Sequence, residues 1–484
     1  MDKAPGIGLL LRTMEHSVVD KKTDSENSKW IILVLACMSS FLTPFTSSSV
    51  NIALPSIGKR FALDAVTLSW VATAYLLAAA VFLVPFGRFA DIFGRKLIFR
   101  TGIIIDAIGS ILCATAGSGI WLIVFRALQG LGGAMIFGTG VAIVTSVFPP
   151  KERGRALGIN VAATYIGLSV GPLAGGLFTQ HLGWQGIFFF NTFLGLIITA
   201  FAFWALKGEW ADARGEKFDL SGAAIYSVAL VAIIYAFSVF PALWGLWLIM
   251  VGVIAAVIFV RWEMKQQYPV LRIELFRHNI VFAFSNLAAL INYSATFAVS
   301  FLLSLYLQYI KGFRPGKAGL ILIAQPVMMA VFSPLAGFLS DKIEPLIIAS
   351  IGMTLTTIGL VMLIFVNADA SIGFIVASLI VLGLGFGFFS SPNTNAVMGS
   401  VERKFYGVAS GMLGTMRLTG QAFSMGISLL LFALFIGRVQ ITPEYYPLFL
   451  KSMKAAFMIM AALCFLGIFA SIARGKTRIP RNQS

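Results

Sequence analysis

Of the 484 residues, 58% are hydrophobic and 12% charged, and the mean hydropathy is +0.89. A soluble domain carries roughly 25% charged residues, because water-facing surface must be covered by polar groups, so this composition excludes a water-soluble fold. The net charge of +16 does not point to nucleic acid either, since the basic residues are scattered through short loops and form no stripe.

The first 29 residues are polar, and their one apolar stretch, 6–11, is too short for a signal-peptide core. Residues 1–29 are therefore expected to form a disordered tail. Apolar runs then follow at 30–54, 66–88, 97–116, 119–146, 156–180, 184–206 and 220–240. Seven more follow at 243–262, 279–309, 317–340, 345–367, 371–394, 405–437 and 452–473, before a basic tail at 474–484. Each run reaches the ~20 residues that carry a helix across hydrocarbon. The pattern predicts an all-α membrane protein with about fourteen transmembrane helices. Strands of a closed barrel would be ~10 residues of alternating polarity, which these runs are not.

Orientation follows from the basic residues. With the N-terminus cytoplasmic, 26 Lys/Arg fall in the tails and loops of that side and 8 on the other. Positive charge favours the cytoplasmic face, so both chain ends are expected there, in a cell membrane. Cys37, Cys113 and Cys464 lie inside apolar runs, and His16, His181 and His278 match no ligand spacing, so neither a metal nor a cofactor is expected. No G-x-x-x-x-G-K-[ST] loop occurs, which disfavours an ATP-driven pump. No cluster of His, Cys and carboxylates suggests an enzyme. Of the 20 acids, Asp106 alone falls near mid-span, and an intramembrane ionisable group is by default a functional candidate.

An internal echo divides the chain. Gly87 to Asp91 and Gly337 to Asp341 each form G-x-x-x-D at a helix end, in the second span of a six-helix block. The expected halves are 30–206 and 279–473, with 207–278 as an inserted helix pair and its linkers.

Three motifs carry chemistry. Gly87, Asp91, Gly94, Arg95 and Lys96 form a loop after the second span, where Asp91 can cap amides or pair with a base and Gly94 permits the turn. Arg126 opens Arg126-Ala-Leu-Gln129-Gly130 inside the fourth span, where a guanidinium needs a partner or water. Gly167, Gly171 and Gly175 recur every four residues in the fifth span, beside Pro172 and Gly176; they make one flat helix face, and Pro172 frees a carbonyl.

These strings resemble the major facilitator superfamily. The first is similar to its loop signature between helices two and three, the second to its helix-four motif and the third to its antiporter motif. Val50-Asn51-Ile-Ala-Leu-Pro55, the pair Trp184 and Asn191, and Gly407 to Gly411 with Arg417 extend the likeness to the branch of fourteen-helix drug:proton antiporters. The resemblance implies two six-helix bundles with an inserted pair, a gating role for the loop, and proton-coupled efflux of small amphipathic compounds by alternating access. The branch usually places an Asp five residues before the Asn of the V-N-x-A-L-P string; Thr46 stands there in this chain, and Gln185 stands where an Arg usually follows Trp184.

Without that carboxylate, Asp106 becomes the candidate for proton coupling, through an ion pair with Arg126 that protonation would break. A hydrogen bond to Ser110, one turn on, is the simpler alternative. The cavity is expected between the halves, with Thr46, Asn51, Tyr75, Gln129, Asn292, Tyr293, Gln325, Asn393, Arg417 and Gln421 as candidate lining. The expected partners are a small-molecule substrate, protons and the lipid bilayer, and a monomer is expected. A facilitator or symporter of one metabolite is the alternative, because it would tolerate Thr46 better.

Overall fold

Each apolar run becomes a helix, because in hydrocarbon the backbone N–H and C=O groups have only one another as partners. The structure, a computed structural model, describes residues 7–149, 152–402 and 406–475, excepting the side chains of 7–28, 153, 154, 341 and 407. Among the described residues, fourteen helices are long and apolar enough to cross a membrane. In the first half these are α1 (Lys29–Phe61), α2 (Ala65–Phe93), α3 (Arg95–Ala114), α4 (Gly119–Val147), α5 (Arg155–His181) and α6 (Gln185–Ala205). The pair α7 (Leu220–Val239) and α8 (Leu243–Glu263) follows. The second half contains α9 (Ile280–Ile310), α10 (Pro315–Ser340), α11 (Pro345–Ile364), α12 (Ile372–Gly399), α13 (Val408–Phe435) and α14 (Pro443–Ala473). Of the expected tails, residues 1–6 and 476–484 lie outside the described residues, and 7–28 continue α1 as backbone helix.

Local chemistry sets the helix ends. Asp64 caps α2 by accepting from the amides of Val66 and Thr67 at 2.9 Å. Ser118, Asp219 and Ser371 cap α4, α7 and α12 in the same way. Gly94 alone joins α2 to α3, at φ 126°, where a residue with a Cβ would be strained.

The spans differ from their expected limits where proline is tolerated. α1 runs past residue 54 through Pro55 to Phe61. Pro55 has no N–H for the carbonyl of Asn51, one turn back, and Ser304 of α9 donates to that oxygen instead at 2.7 Å. α14 likewise starts at Pro443, ahead of the expected 452, because a 3-10 turn over Pro443–Tyr445 leads into it.

The two halves repeat one packing scheme. α1 lies on α5, α2 on α4, and α3 on both α4 and α6; correspondingly α9 lies on α13, α10 on α12, and α11 on both α12 and α14. The halves meet where α2 crosses α13, α5 crosses α10 and α1 touches α9. α7 sits against α2 and α13, with α8 outside it. Only 22% of the most apolar stretch of α8 is buried, against 83% for α2, so α8 faces lipid. With an even number of spans, both ends of the described chain share one face, called here the tail face.

Two helices break beside the central axis. α9 consists of Ile280–Thr296, Ala298–Leu305 and a π-helical turn over Tyr306–Ile310. The amide of Ala298 at its first break donates to the Ser424 hydroxyl of α13 at 3.0 Å. α10 breaks between Leu322 and Ala324, just before Gln325 and Pro326. Interrupted helices put backbone and polar side chains at mid-membrane depth, where they are tolerated only beside protein or a cavity.

Candidate functional site

A buried polar network joins α1, α3, α4 and α6 at mid-span, with Asn191 at its centre. One Asn191 side-chain N–H donates to the Asp106 carboxylate at 3.0 Å and the other to the Ser110 hydroxyl at 2.6 Å. Its carbonyl accepts from the Thr46 hydroxyl, which also lies 2.9 Å from the Leu42 carbonyl one turn back. Ser110 accepts a second bond from the Gln129 amide at 2.8 Å and donates to the backbone carbonyl of Asp106 at 2.7 Å, which uses its full capacity. The Gln129 carbonyl in turn accepts from Arg126.

The expected Asp106–Arg126 ion pair is not formed. Both groups are buried, at 2% and 1% exposure, but Arg126 turns toward α2. Its Nε donates to the Val71 carbonyl at 3.1 Å, and its guanidinium lies 4.4 Å over the Tyr75 ring. The acid and the base are therefore linked through Asn191, Ser110 and Gln129 rather than directly. Asp106 and Ser110 do share a hydrogen bond, as the simpler alternative has it, but through the Asp106 backbone carbonyl and not its carboxylate.

The glycine face of α5 lies on α1. A Cβ at Gly171 would come within 1.9 Å of the Ser48 hydroxyl and 2.9 Å of the Phe45 carbonyl, so the two backbones touch. Gly167 and Gly175 meet the backbone at Phe41 and Ser49, and Gly176 faces the carbonyl of Pro315 on α10. From the other side, a Cβ at Gly319 of α10 would stand 2.1 Å from the Pro172 carbonyl. Beside this crossing, Gln308 donates to the Ile52 carbonyl at 2.9 Å, next to the Ser304–Asn51 bond. Together these contacts seal the halves toward the face opposite the tails.

At the tail face, the loop is clamped by the segment that leads to α7. Arg95 donates to Asp91 at 2.7–3.0 Å and to the Ser146 hydroxyl at 2.7 Å, and pairs with Asp212 at 2.8 Å. Arg88 pairs with Glu216, and Glu209 accepts from the Lys96 amide at 2.8 Å. The backbone joins in, from Arg95 N–H to the Trp210 carbonyl and from Ala213 N–H to the Asp91 carbonyl, each at 2.9 Å. Glu209→Ala is expected to speed hydrogen exchange at the Lys96 amide about two- to fivefold, as suits an exposed charge-assisted contact worth ~0.5–1 kcal/mol. Unchanged exchange there would remove the clamp.

Between the bundles and below the seal lies a cavity of about 80 Å³, lined by residues of α1, α5, α9, α10, α12 and α13. Pockets for drug-sized ligands run to ~300–1,000 Å³, so the halves must part before such a compound fits. Its polar walls are Ser48, Asn51, Tyr165, Tyr293, Thr296, Ser300, Gln325, Arg417 and Gln421. On the tail side, the Tyr165 hydroxyl and the Ser390 hydroxyl meet at 2.6 Å and bridge α5 to α12. A wider groove of about 450 Å³ opens at the opposite face beside Phe240 and Pro241, away from the polar network.

Comparison with known proteins agrees with this architecture. The Major Facilitator Superfamily profile matches residues 36–268 and 286–483. The chain belongs to the major facilitator superfamily. It is 30% identical to the riboflavin transporter RibZ of Clostridioides difficile (strain 630), over 92% of this chain and 97% of that protein. It is also 30% identical to the multidrug resistance protein Stp of Mycobacterium tuberculosis (strain CDC 1551 / Oshkosh), over 82% of this chain and 74% of Stp. Among solved structures, a bacterial homolog of the human lysosomal transporter Spinster, inward-facing and unoccupied, superposes with a TM-score of 0.63. That match covers 92% of this chain and 97% of the other at 16% identity, and so speaks to the fold.

In this superfamily transporter, five of the ten residues expected to line the cavity do so: Asn51, Tyr293, Gln325, Arg417 and Gln421. The other five sit elsewhere. Thr46 and Gln129 are parts of the buried network, and Tyr75 lies under Arg126. Asn292 is buried with both amide atoms unpartnered. Asn393 accepts from Arg474 at 2.9 Å and donates to the Ser285 carbonyl at 3.1 Å, which ties the tail-face ends of α9, α12 and α14 together. Burial lowers the Arg474 pKa to about 10, so it stays charged at neutral pH. Sequence reasoning missed Asn191 as a site residue and Tyr165 as a wall residue. An asparagine in the middle of an otherwise apolar run was the available signal for the first.

Proposed function

We propose that this major facilitator exports small amphipathic compounds in exchange for protons, by alternating access across a cell membrane with both tails in the cytoplasm. The units 30–206 and 279–473 act as the two rocking bodies, 207–278 is an inserted pair, and a single chain is the working unit. The basic-residue bias supports the orientation, and the glycine crossing of α1, α5 and α10 supports antiport.

The observation that carries proton coupling is the Asn191 hub. Thr46 occupies the position where the resemblance places a carboxylate, and through Asn191 it is one side chain from Asp106. On this reading the titrating acid has moved from α1 to α3 while staying in the same hydrogen-bonded chain. As a carboxylate, Asp106 accepts from Asn191; protonation of the oxygen that faces Asn191 places a donor there, and the Asn191 amide redistributes its bonds. Thr46 follows, and α1 with it. Because the same helix bears the Asn51 carbonyl held by Ser304, a proton on Asp106 reaches the seal through α1.

A facilitator or symporter of one metabolite is the second reading, favoured by Thr46 itself and by the name of the riboflavin transporter among the relatives. Purified protein in proteoliposomes, under an imposed pH gradient and with a panel of anionic, neutral and cationic compounds, separates the two. Accumulation on the acidic side, opposite to the direction of proton flow, is expected; accumulation on the alkaline side would leave the symporter. Uptake that only runs down the compound's own gradient would leave the facilitator.

A further inference from the structure

Three arginines sit deep in the bundles, and two of them hydrogen-bond to the protein through their guanidinium groups, although the Arg474 Nε is itself left without a partner. Arg126 donates to Gln129 and Val71, and Arg474 to Asn393, Ser285, Ser471 and the Pro345 carbonyl. Arg417 of α13 is different. It lines the central cavity, its Nε is buried, and that Nε has no hydrogen-bond partner. Its neighbours are two aromatic faces, Tyr293 at 5.5 Å and, across the bundle interface, Phe137 at 5.8 Å. No other charged residue lines the cavity among the described residues. Asp106, the acid at mid-span, is engaged by Asn191 behind α4. A second wall group is open as well: Gln325 is 6% exposed, and its side-chain oxygen has no partner.

An unpaired guanidinium in a low-dielectric cavity is costly until an anion meets it, and it repels cations throughout. Its planar fork matches a carboxylate with two parallel hydrogen bonds. Around it, Tyr293 and Phe386 stand edge to face at 5.2 Å, with Phe297 alongside, which makes a wall suited to a flat ring.

We propose that the substrate of this cavity is a planar aromatic compound bearing a carboxylate, held by Arg417, and that lipophilic cations are excluded. The proposal deepens the transport reading above and rests on it for the word substrate. Its test is a binding measurement that needs no gradient. Tryptophan quenching of the full-length protein in detergent compares fluorescein, an aromatic carboxylate with a planar fused-ring system, with ethidium, an aromatic cation with a planar fused-ring system.

Fluorescein is expected to bind at least about tenfold more tightly than ethidium, the scale of a charge-assisted bond to a buried arginine. Arg417→Gln is expected to erase that preference. Gln421→Glu, one turn along α13, is expected to do the same by supplying Arg417 with an internal anion. Ethidium binding as tightly as fluorescein to the unaltered protein overturns the proposal, whether or not either variant folds. So does a preference that survives in both folded variants. Because binding is read without transport, a failed proton gradient assay would count against antiport and leave this result intact.

Discussion

Asp106→Asn is expected to lose proton-driven accumulation while still exchanging its compound downhill. One pH unit is worth about 1.4 kcal/mol, so a one-for-one exchanger can concentrate its substrate about tenfold per unit of gradient. The variant should fall to a ratio of about one under the same gradient. It should still fold, because an asparagine at 106 is nearly isosteric and its carbonyl can accept the Asn191 bond now made to the carboxylate at 3.0 Å. The rescue is the sharper test. Adding Thr46→Asp to Asp106→Asn returns a carboxylate to the same chain from α1, with Asn191 flipping its amide to donate toward it. Recovery of gradient-driven accumulation in the double variant is expected. Intact accumulation and pH dependence in Asp106→Asn alone would end the role assigned to Asp106.

Gly319→Ala is expected to force open the seal opposite the tails. The added methyl would stand 2.1 Å from the Pro172 carbonyl, a backbone atom that cannot rotate away. Overpacking of this kind costs ~1–3 kcal/mol, enough to move a two-state equilibrium about 5- to 150-fold. The conformation that parts α5 from α10 escapes the clash and gains population. Spin labels placed across that face should show a longer distance in the variant, and transport should fall because the sealed state is no longer reached. An unchanged distance distribution with normal transport would mean that the crossing is not the seal.

The legible part of this protein was everything that depends on one helix at a time. Burying backbone polar groups in lipid forces each apolar run to be a helix, so the spans could be counted directly, and the described helices agree in number with that count. The flat face of Gly167, Gly171 and Gly175 was legible for the same reason, since a repeat of four marks one side of a helix. Errors arose where a property belongs to two helices. Pro55 reads as a stop, yet α1 continues because Ser304 of α9 serves the freed Asn51 carbonyl. Arg126 reads as a partner for Asp106 by depth alone. Depth does not say that its guanidinium points to α2, leaving Asn191, Ser110 and Gln129 to span the gap.

By itself, the sequence determined the solvent, the number of crossings, the repeated halves, the single mid-span acid and the absence of a carboxylate at residue 46. Each is a matter of residue type and position along the chain. Only the tertiary structure decided which polar groups share a hydrogen bond, which intramembrane arginine is left without one, and where α9 and α10 break beside the cavity. Those outcomes depend on the rotation of each helix about its axis and on close approach between backbones, as at Gly171 and Gly319. A string of spans with such similar apolar content carries little information about either.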